Sequence, residues 1–124
     1  MERGDSSRGL LAIILLCTAC GDLEAEVQAG LDFGSDRTLE ECVDESLARL
    51  ERCDSFKCEA LSTGFSRGCS EVASMGNRFC ARVPDSLAEA IGWMRTECAG
   101  ASNMKACAKV LQQPVKRCLA SSSG

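Results

Sequence analysis

Cysteine is the residue type best able to do chemistry in this sequence. The chain has ten cysteines in 124 residues and no histidine or tyrosine. The missing histidine excludes Ser-His-Asp and Cys-His catalysis as well as imidazole metal sites, and the missing tyrosine excludes a tyrosine general acid. The cysteines remain candidates for disulfides, metal ligation, redox exchange or covalent modification, and their spacing distinguishes these uses.

Eight of the cysteines lie between residues 42 and 118, and a C-x10-C spacing recurs among them. Eleven residues of α-helix turn about 1100°, close to three full turns, so cysteines at this spacing share one helix face about 16 Å apart. Facing residues of an antiparallel hairpin have a constant sum of residue numbers, and the pair 42 and 69 has the same sum as the pair 53 and 58. The spacing therefore predicts two helices joined at both ends by the disulfides Cys42–Cys69 and Cys53–Cys58.

The last four cysteines pair less regularly. A disulfide Cys98–Cys107 would close a second hairpin, and Cys80–Cys118 would then remain. Eight cysteines allow on the order of a hundred connectivities, so this complete set is one of many. A four-cysteine zinc site normally needs two closely spaced pairs, and this region offers only the C-x4-C at 53–58. We therefore predict four disulfides, no metal site and no cofactor.

Helical periodicity supplies the elements that would position these cysteines. Thr38 and Glu41 form a capping box before a helix of period 3.6, and Ser86 and Glu89 form a second one. The apolar stripe of the later helix is predicted at Leu87, Ile91, Met94 and Cys98. No stretch alternates apolar and polar residues as a strand would. The predicted class is all-α, a small disulfide-stapled bundle of three to four helices built from helical hairpins.

Glycine and proline set the expected limits of the other two helices. From Cys58 an apolar stripe runs toward Cys80, and its glycines either permit close helix approach or break the segment near Gly76. A last helix starts at Ser102 or Asn103 with a stripe through Met104, Cys107, Leu111 and Cys118. Pro114 is expected to kink or end that helix one turn early.

The N-terminal region has the pattern of a processed signal. An apolar run at 10–19 is too short to span a bilayer and suits a signal-peptide core. It ends in the C-x-x-C at 17–20, which has no strand–helix setting for redox chemistry. The stretch "CTAC" resembles the lipobox of bacterial lipoproteins, a resemblance that covers residues 1–21. It implies that Cys20 carries acyl chains and begins the mature protein. Cleavage after Ala19 or Ala29 without a lipid stays an alternative.

These boundaries divide the chain into four parts. Residues 1–19 are the predicted signal peptide, and 20–37, rich in acids and glycine, are the predicted flexible tether. The cysteine-rich helical domain is predicted at 38–120, followed by a disordered tail at 121–124.

A possible partner face is basic. Residues 20–54 have eleven acids and three bases, a net charge of −8, whereas 55–124 have five acids and nine bases, a net charge of +4. The face is predicted at Lys105, Lys109 and Lys116, which could meet anionic headgroups or an acidic protein, with Trp93 as an anchor or a core-edge residue. The bases are scattered and aromatic residues are few, so nucleic-acid binding is not expected.

The sequence predicts a class and a compartment more firmly than an activity. We expect a non-catalytic, extracytoplasmic lipoprotein that acts as a binding or cell-envelope module and is attached to the membrane through Cys20, with an unidentified protein or lipid partner. The alternatives are a freely secreted cysteine-rich effector or inhibitor and a small carrier of apolar ligands.

Overall fold

The computed structural model describes residues 18–76 and 78–122. Over these residues the chain forms six helices and no strand. In chain order the helices are α1 Thr18–Gly34, α2 Leu39–Glu51, α3 Phe56–Val72, α4 Phe79–Arg82, α5 Leu87–Glu97 and α6 Met104–Ser122. The predicted all-α class is confirmed, and four disulfides staple the bundle.

The first hairpin pairs α2 with α3. The capping box at its start is complete, because the Thr38 hydroxyl accepts a hydrogen bond from the Glu41 amide and the Glu41 carboxylate accepts one from the Thr38 amide. Two disulfides close the hairpin, with Cα–Cα distances of 5.7 Å for Cys42–Cys69 and 5.4 Å for Cys53–Cys58. These are the two pairs that the constant sum predicts.

The second half of the chain folds back onto this hairpin. Its disulfides are Cys80–Cys118 and Cys98–Cys107, with Cα–Cα distances of 5.3 Å and 5.8 Å, which are the pairs that the sequence predicts. They surround the larger of two apolar clusters, which packs α2 and the α4–α6 region together. Fully buried members of that cluster include Phe79, Val110 and Val115.

The prediction of a flexible tether at 20–37 is wrong. Residues 18–34 form helix α1, which packs lengthwise and parallel to α3. Its contact face is built largely from glycines, with Phe33 as one large aromatic residue, so hydrophobic periodicity does not reveal it. A Cβ at Gly34 would lie 2.6 Å from the Cys69 carbonyl oxygen, and a Cβ at Gly30 or Gly68 would overlap the backbone of the facing helix.

Arg49 joins the three helices of this half. Its guanidinium lies 3.2 Å from the Glu26 carboxylate on α1 and 3.1 Å from the Glu45 carboxylate on α2. The same group stacks over the ring of Phe65 on α3, 3.7 Å from the ring centroid. A partly exposed cation over an aromatic face stabilises by about 0.5–1 kcal/mol. Arg49 therefore connects α1 to the hairpin by charge as well as by packing.

The helical segment predicted from Cys58 to Cys80 is broken near Gly76, which is one of the two outcomes expected of its glycines. Helix α3 ends at Val72, and Gly76 has a φ of 59°, in the left-handed region that glycine adopts most easily. Between them, Ser74 exchanges backbone hydrogen bonds with the segment before α2, at 2.8 Å to the Leu39 amide and 2.9 Å to the Arg37 carbonyl. The break thus attaches the end of α3 to the start of α2.

Two outcomes were expected at Pro114, a kink or an early end of the last helix, and the early end is wrong. Helix α6 continues through Pro114 to Ser122. A proline at 114 has no N–H for the carbonyl of Val110, its partner in an α-helix. The buried hydroxyl of Ser66 on α3 donates to that carbonyl at 2.8 Å. Tertiary contact therefore satisfies the acceptor that proline leaves without its helical partner.

The predicted buried stripe of α5 is shifted. Leu87 and Ile91 are 60% and 43% exposed, whereas Ala90, Met94 and Cys98 are buried. Helix α5 therefore approaches the core through the small Ala90 and not through Leu87 or Ile91. The Ser86 hydroxyl does cap the helix, accepting from the Glu89 amide at 3.2 Å.

The ends of the chain lie partly outside the described residues. The predicted signal peptide at 1–19 lies almost entirely outside the described residues, since nothing before Thr18 is described. At the other end the predicted disordered tail is wrong for residues 121–122, which belong to α6, and 123–124 lie outside. Within the described ranges, no helix is both long and apolar enough to cross a membrane.

Candidate functional site

A groove of about 820 Å³ lies between α1, α3 and α6. Ligand pockets in proteins typically measure about 300–1,000 Å³ and are mostly apolar with a few polar groups. A smaller hollow of about 200 Å³ lies beside the Cys80–Cys118 disulfide and is lined by loop residues and the end of α6. The larger groove combines volume, apolar lining and charge, so it is the candidate site.

Helix α3 forms the floor of the groove. Ala60, Gly64 and Arg67 follow one another at steps of four and three, which places them on one outer face of the helix. The opposite faces of α3 are occupied, because Phe65 and Cys69 pack into the core and Ser66 bonds to α6. The small residues of the outer face leave the space that the groove occupies.

Helix α1 forms one wall. Its Leu23 and Val27 line the groove, and a Cβ at Gly64 would lie 2.7 Å from the Leu23 side chain. Lys57 on α3 also reaches Asp22 on α1 in an ion pair of 2.8 Å. This wall of the groove therefore exists only because residues 18–34 form an ordered helix, which the sequence did not predict.

Helix α6 forms the other wall and brings most of the positive charge. Lys105, Lys109 and Lys116 line the groove, as does Arg67 on α3. Among the residues that the structure describes, none of these four cations is in an ion pair. The acid of the groove, Glu59, accepts a hydrogen bond of 2.8 Å from the Asn103 amide. The lining thus has four cations and one carboxylate, an excess of three positive charges.

The three walls run in the same direction. Contacts between α3 and α6 follow the same order along both helices, at Glu59 with Asn103, Ser66 with Val110, and Ser70 with Arg117. The N-terminal ends of α1, α3 and α6 therefore lie at one end of the bundle. Three apolar side chains are exposed there: Leu23 at 42%, Phe56 at 79% and Met104 at 49%.

The predicted site residues are only partly brought together. Lys105, Lys109 and Lys116 share the groove, as their spacing on one helix face predicts. Trp93 lies elsewhere, partly buried against the core with its ring 5.8 Å from that of Phe79, so it belongs to the core edge and not to the lysine face. Cys20 lies in the first turns of α1, just before Leu23.

Sequence reasoning missed Leu23, Val27, Phe56, Ala60 and Arg67. Phe56 lies before Cys58, where the predicted stripe begins, and the others belong to helix faces whose small residues give no apolar stripe. The usable signal was the spacing of four between Leu23 and Val27 and between Ala60 and Gly64, which places each pair on one helix face.

Titration and metal chemistry give no further site in this part of the chain. In the described ranges, no group of three or more acidic or cysteine side chains is arranged to hold a metal ion. The pKa of Glu41 is lowered because the Arg37 side chain and the Thr38 amide donate hydrogen bonds to its carboxylate. Glu41 caps α2 and lies outside the groove, so this shift is structural.

Comparison with known proteins does not extend the assignment. The chain matches no protein family, no curated protein and no solved structure.

Proposed function

We propose that this chain is a non-catalytic, extracytoplasmic binding module that is held at the bacterial cell envelope by a lipid on Cys20. The observation that carries the proposal is the set of four disulfides, which uses all eight cysteines from Cys42 to Cys118. Disulfides form and persist in oxidising compartments and are rare in the reducing cytosol. A small helical domain stapled four times fits an extracytoplasmic setting.

Helix α1 supports a mature chain that starts near Cys20. Cleavage after Ala29 would remove Leu23, Val27 and Glu26, and with them one wall of the groove and the ion pair to Arg49. Cleavage at Cys20 keeps all of these contacts. It also places the lipid at the end of the bundle where Phe56 and Met104 are exposed. The folded helix thus favours a mature chain that begins at Cys20 over one that begins at Gly30.

The composition of the groove supports a binding role without catalysis. Its hydroxyl, on Thr63, donates to the Glu59 carbonyl oxygen at 3.2 Å, and its carboxylate, on Glu59, is held by Asn103. General acid–base or nucleophilic catalysis needs a nucleophile within reach of a base, and the side chains of the groove do not offer that pair. The second candidate function, a small carrier of apolar ligands, is favoured by the apolar floor of the same groove.

The anchor is tested by expressing the full chain in a bacterial host and fractionating the cells. We expect the protein in the membrane fraction, with acyl mass on a peptide that begins at Cys20. A Cys20→Ser variant should lose the acyl mass and leave the membrane fraction, whereas a Cys17→Leu control should keep both. An unmodified N-terminus at Cys20, or one at Gly30, would contradict the anchor.

A further inference from the structure

We infer that the groove between α1, α3 and α6 binds a long-chain fatty acid, with the alkyl chain on its floor and the carboxylate among its cations. The inference deepens the proposed binding role by naming the ligand class, and it does not depend on acylation of Cys20. It rests on the shape, lining and charge of the groove.

The alkyl chain fits the floor. Leu23, Val27, Ala60, Gly64 and Ala106 present aliphatic or small surfaces along the groove. From Arg67 to Phe56 the floor extends over eleven residues of α3, about 16 Å at the rise of an α-helix. A narrow apolar strip of this length suits one extended chain. Burying such a chain removes its methylenes from water, which favours binding.

The charge of the lining selects the head group. Four cations without an ion pair among the described residues face one carboxylate that already has a hydrogen-bond partner. A carboxylate ligand would receive charge-assisted hydrogen bonds from Arg67 or the lysines, which are stronger than bonds between neutral groups. A cationic head group would instead be repelled. The groove is therefore complementary to an anion.

The register of the helices orients the ligand. Since Ser66 is level with Val110, its neighbour Arg67 lies close to the level of Lys109 and Leu111. Toward the N-terminal ends of the helices the groove has the apolar Ala60 and the exposed ring of Phe56, beside the acid Glu59 and one of the four cations, Lys105. The carboxylate therefore lies near Arg67 and Lys109, and the chain extends toward Phe56.

A fatty acid suits these walls better than an acidic peptide. A bound peptide brings a row of backbone N–H and C=O groups, each of which needs a hydrogen-bond partner when it is buried. The groove offers side chains without donors or acceptors at Leu23 and Val27 on its α1 wall and at Ala60 on its floor. An alkyl chain needs none.

The test uses the disulfide-bonded protein with Cys20→Ser, so that the result is independent of the anchor. Binding of hexadecanoate is measured by equilibrium dialysis and compared with hexadecanol and with hexadecyltrimethylammonium, which have the same chain and a neutral or cationic head group. We expect hexadecanoate to bind at least about tenfold more tightly than either, a difference of about 1.4 kcal/mol.

Two variants locate the site. Ala60→Trp fills the floor from an exposed position and should abolish binding, whereas Ala88→Trp on exposed α5 should not. The double variant Arg67→Glu and Lys109→Glu should weaken hexadecanoate binding at least about tenfold, against no change for Arg95→Glu, an exposed α5 control. Circular dichroism verifies that each variant is folded.

The inference would be overturned by no binding of hexadecanoate, by equal binding of the three head groups, or by unchanged binding in folded Ala60→Trp. Binding to anionic vesicles without binding of monomeric hexadecanoate would also overturn it, and would assign the cations to a membrane-facing surface. Loss of the Cys20 lipid in the fractionation experiment leaves the outcome of this test unaffected.

Discussion

The hydroxyl of Ser66 on α3 donates a 2.8 Å hydrogen bond to the carbonyl oxygen of Val110 on α6. Both residues are buried. Residue 114 is the one whose amide would donate to the Val110 carbonyl in an α-helix, and as a proline it has no N–H. One side-chain hydrogen bond therefore lets a proline stay inside a helix of 19 residues and fixes the register of α3 against α6.

Ser66→Ala should lower the free energy of unfolding by about 1–3 kcal/mol, because it leaves a buried carbonyl without a partner. In a Pro114→Ala background the new amide of residue 114 can bond to Val110, and the cost of Ser66→Ala should fall below about 1 kcal/mol. Urea unfolding of the four proteins in this cycle measures the coupling. Ser102→Ala, at an exposed site, is the control. Equal costs in both backgrounds would contradict the role of Pro114.

Close packing of α1 on α3 predicts that replacing a glycine by alanine lowers stability at the contact between the two helices and raises it where the glycine faces open space. Gly68→Ala places a Cβ against the Val27 carbonyl oxygen, and since backbone must move, it should cost about 1–3 kcal/mol. Gly92→Ala on α5 has open space and should stabilise by up to about 1 kcal/mol through helix propensity. Thermal unfolding of both variants gives the comparison. A neutral Gly68→Ala would mean that α1 is not docked.

The disulfides should differ in their contribution. Cys42–Cys69 closes a separation of 27 residues and Cys53–Cys58 one of 5. A disulfide lowers the entropy of the unfolded chain more when it closes a longer loop. Replacing both cysteines of the first pair by alanine should therefore lower the free energy of unfolding by about 3.5 kcal/mol, and replacing those of the second by about 2 kcal/mol. Burial of Cys42 and Cys69 adds a cavity to the first loss. Chemical denaturation measures the free energy of unfolding of the two double variants. A larger loss of stability for the variant without Cys53–Cys58 would contradict this account.

The cap of α2 predicts a small acid sensitivity. The pKa of Glu41 is held below its usual value of 4.5, chiefly by the hydrogen bond from Arg37. Its stabilising effect is therefore fully present above 4.5 and is lost as the pH falls through the lower pKa of the folded state. Glu41→Gln keeps a capping box without the charge. The stability difference between wild type and this variant should shrink below pH 4.5; a difference that grows there would contradict the sign.

The hairpin was predictable because its information is local and periodic. Thr38 and Glu41 mark the start of α2, and the spacing of Cys42, Cys53, Cys58 and Cys69 gives both staples. A helix face is readable from sequence when large apolar residues recur at its period. The same helical period predicts that Lys105, Lys109 and Lys116 of α6 lie on one face.

The candidate groove was not predictable, because small residues form it. In the sequence Gly64 and Gly68 are compatible with either a helix break or a close helix approach, and Gly30 and Gly34 lie in the segment predicted to be a flexible tether; in the structure all four let α1 lie against α3. Ala90 in place of Leu87 and Ile91 shifts the buried face of α5 for a similar reason. Where close backbone approach, and not side-chain volume, drives packing, the apolar pattern does not show the contact.

The central claim is that four disulfides hold this domain together in an oxidising compartment. The intact mass of the purified native protein, before and after reduction, tests it most directly. We predict a gain of eight hydrogens, two for each of the four disulfides, and no alkylation of Cys42 through Cys118 without prior reduction. An unchanged mass, with all eight thiols free to react in the native protein, would contradict the claim.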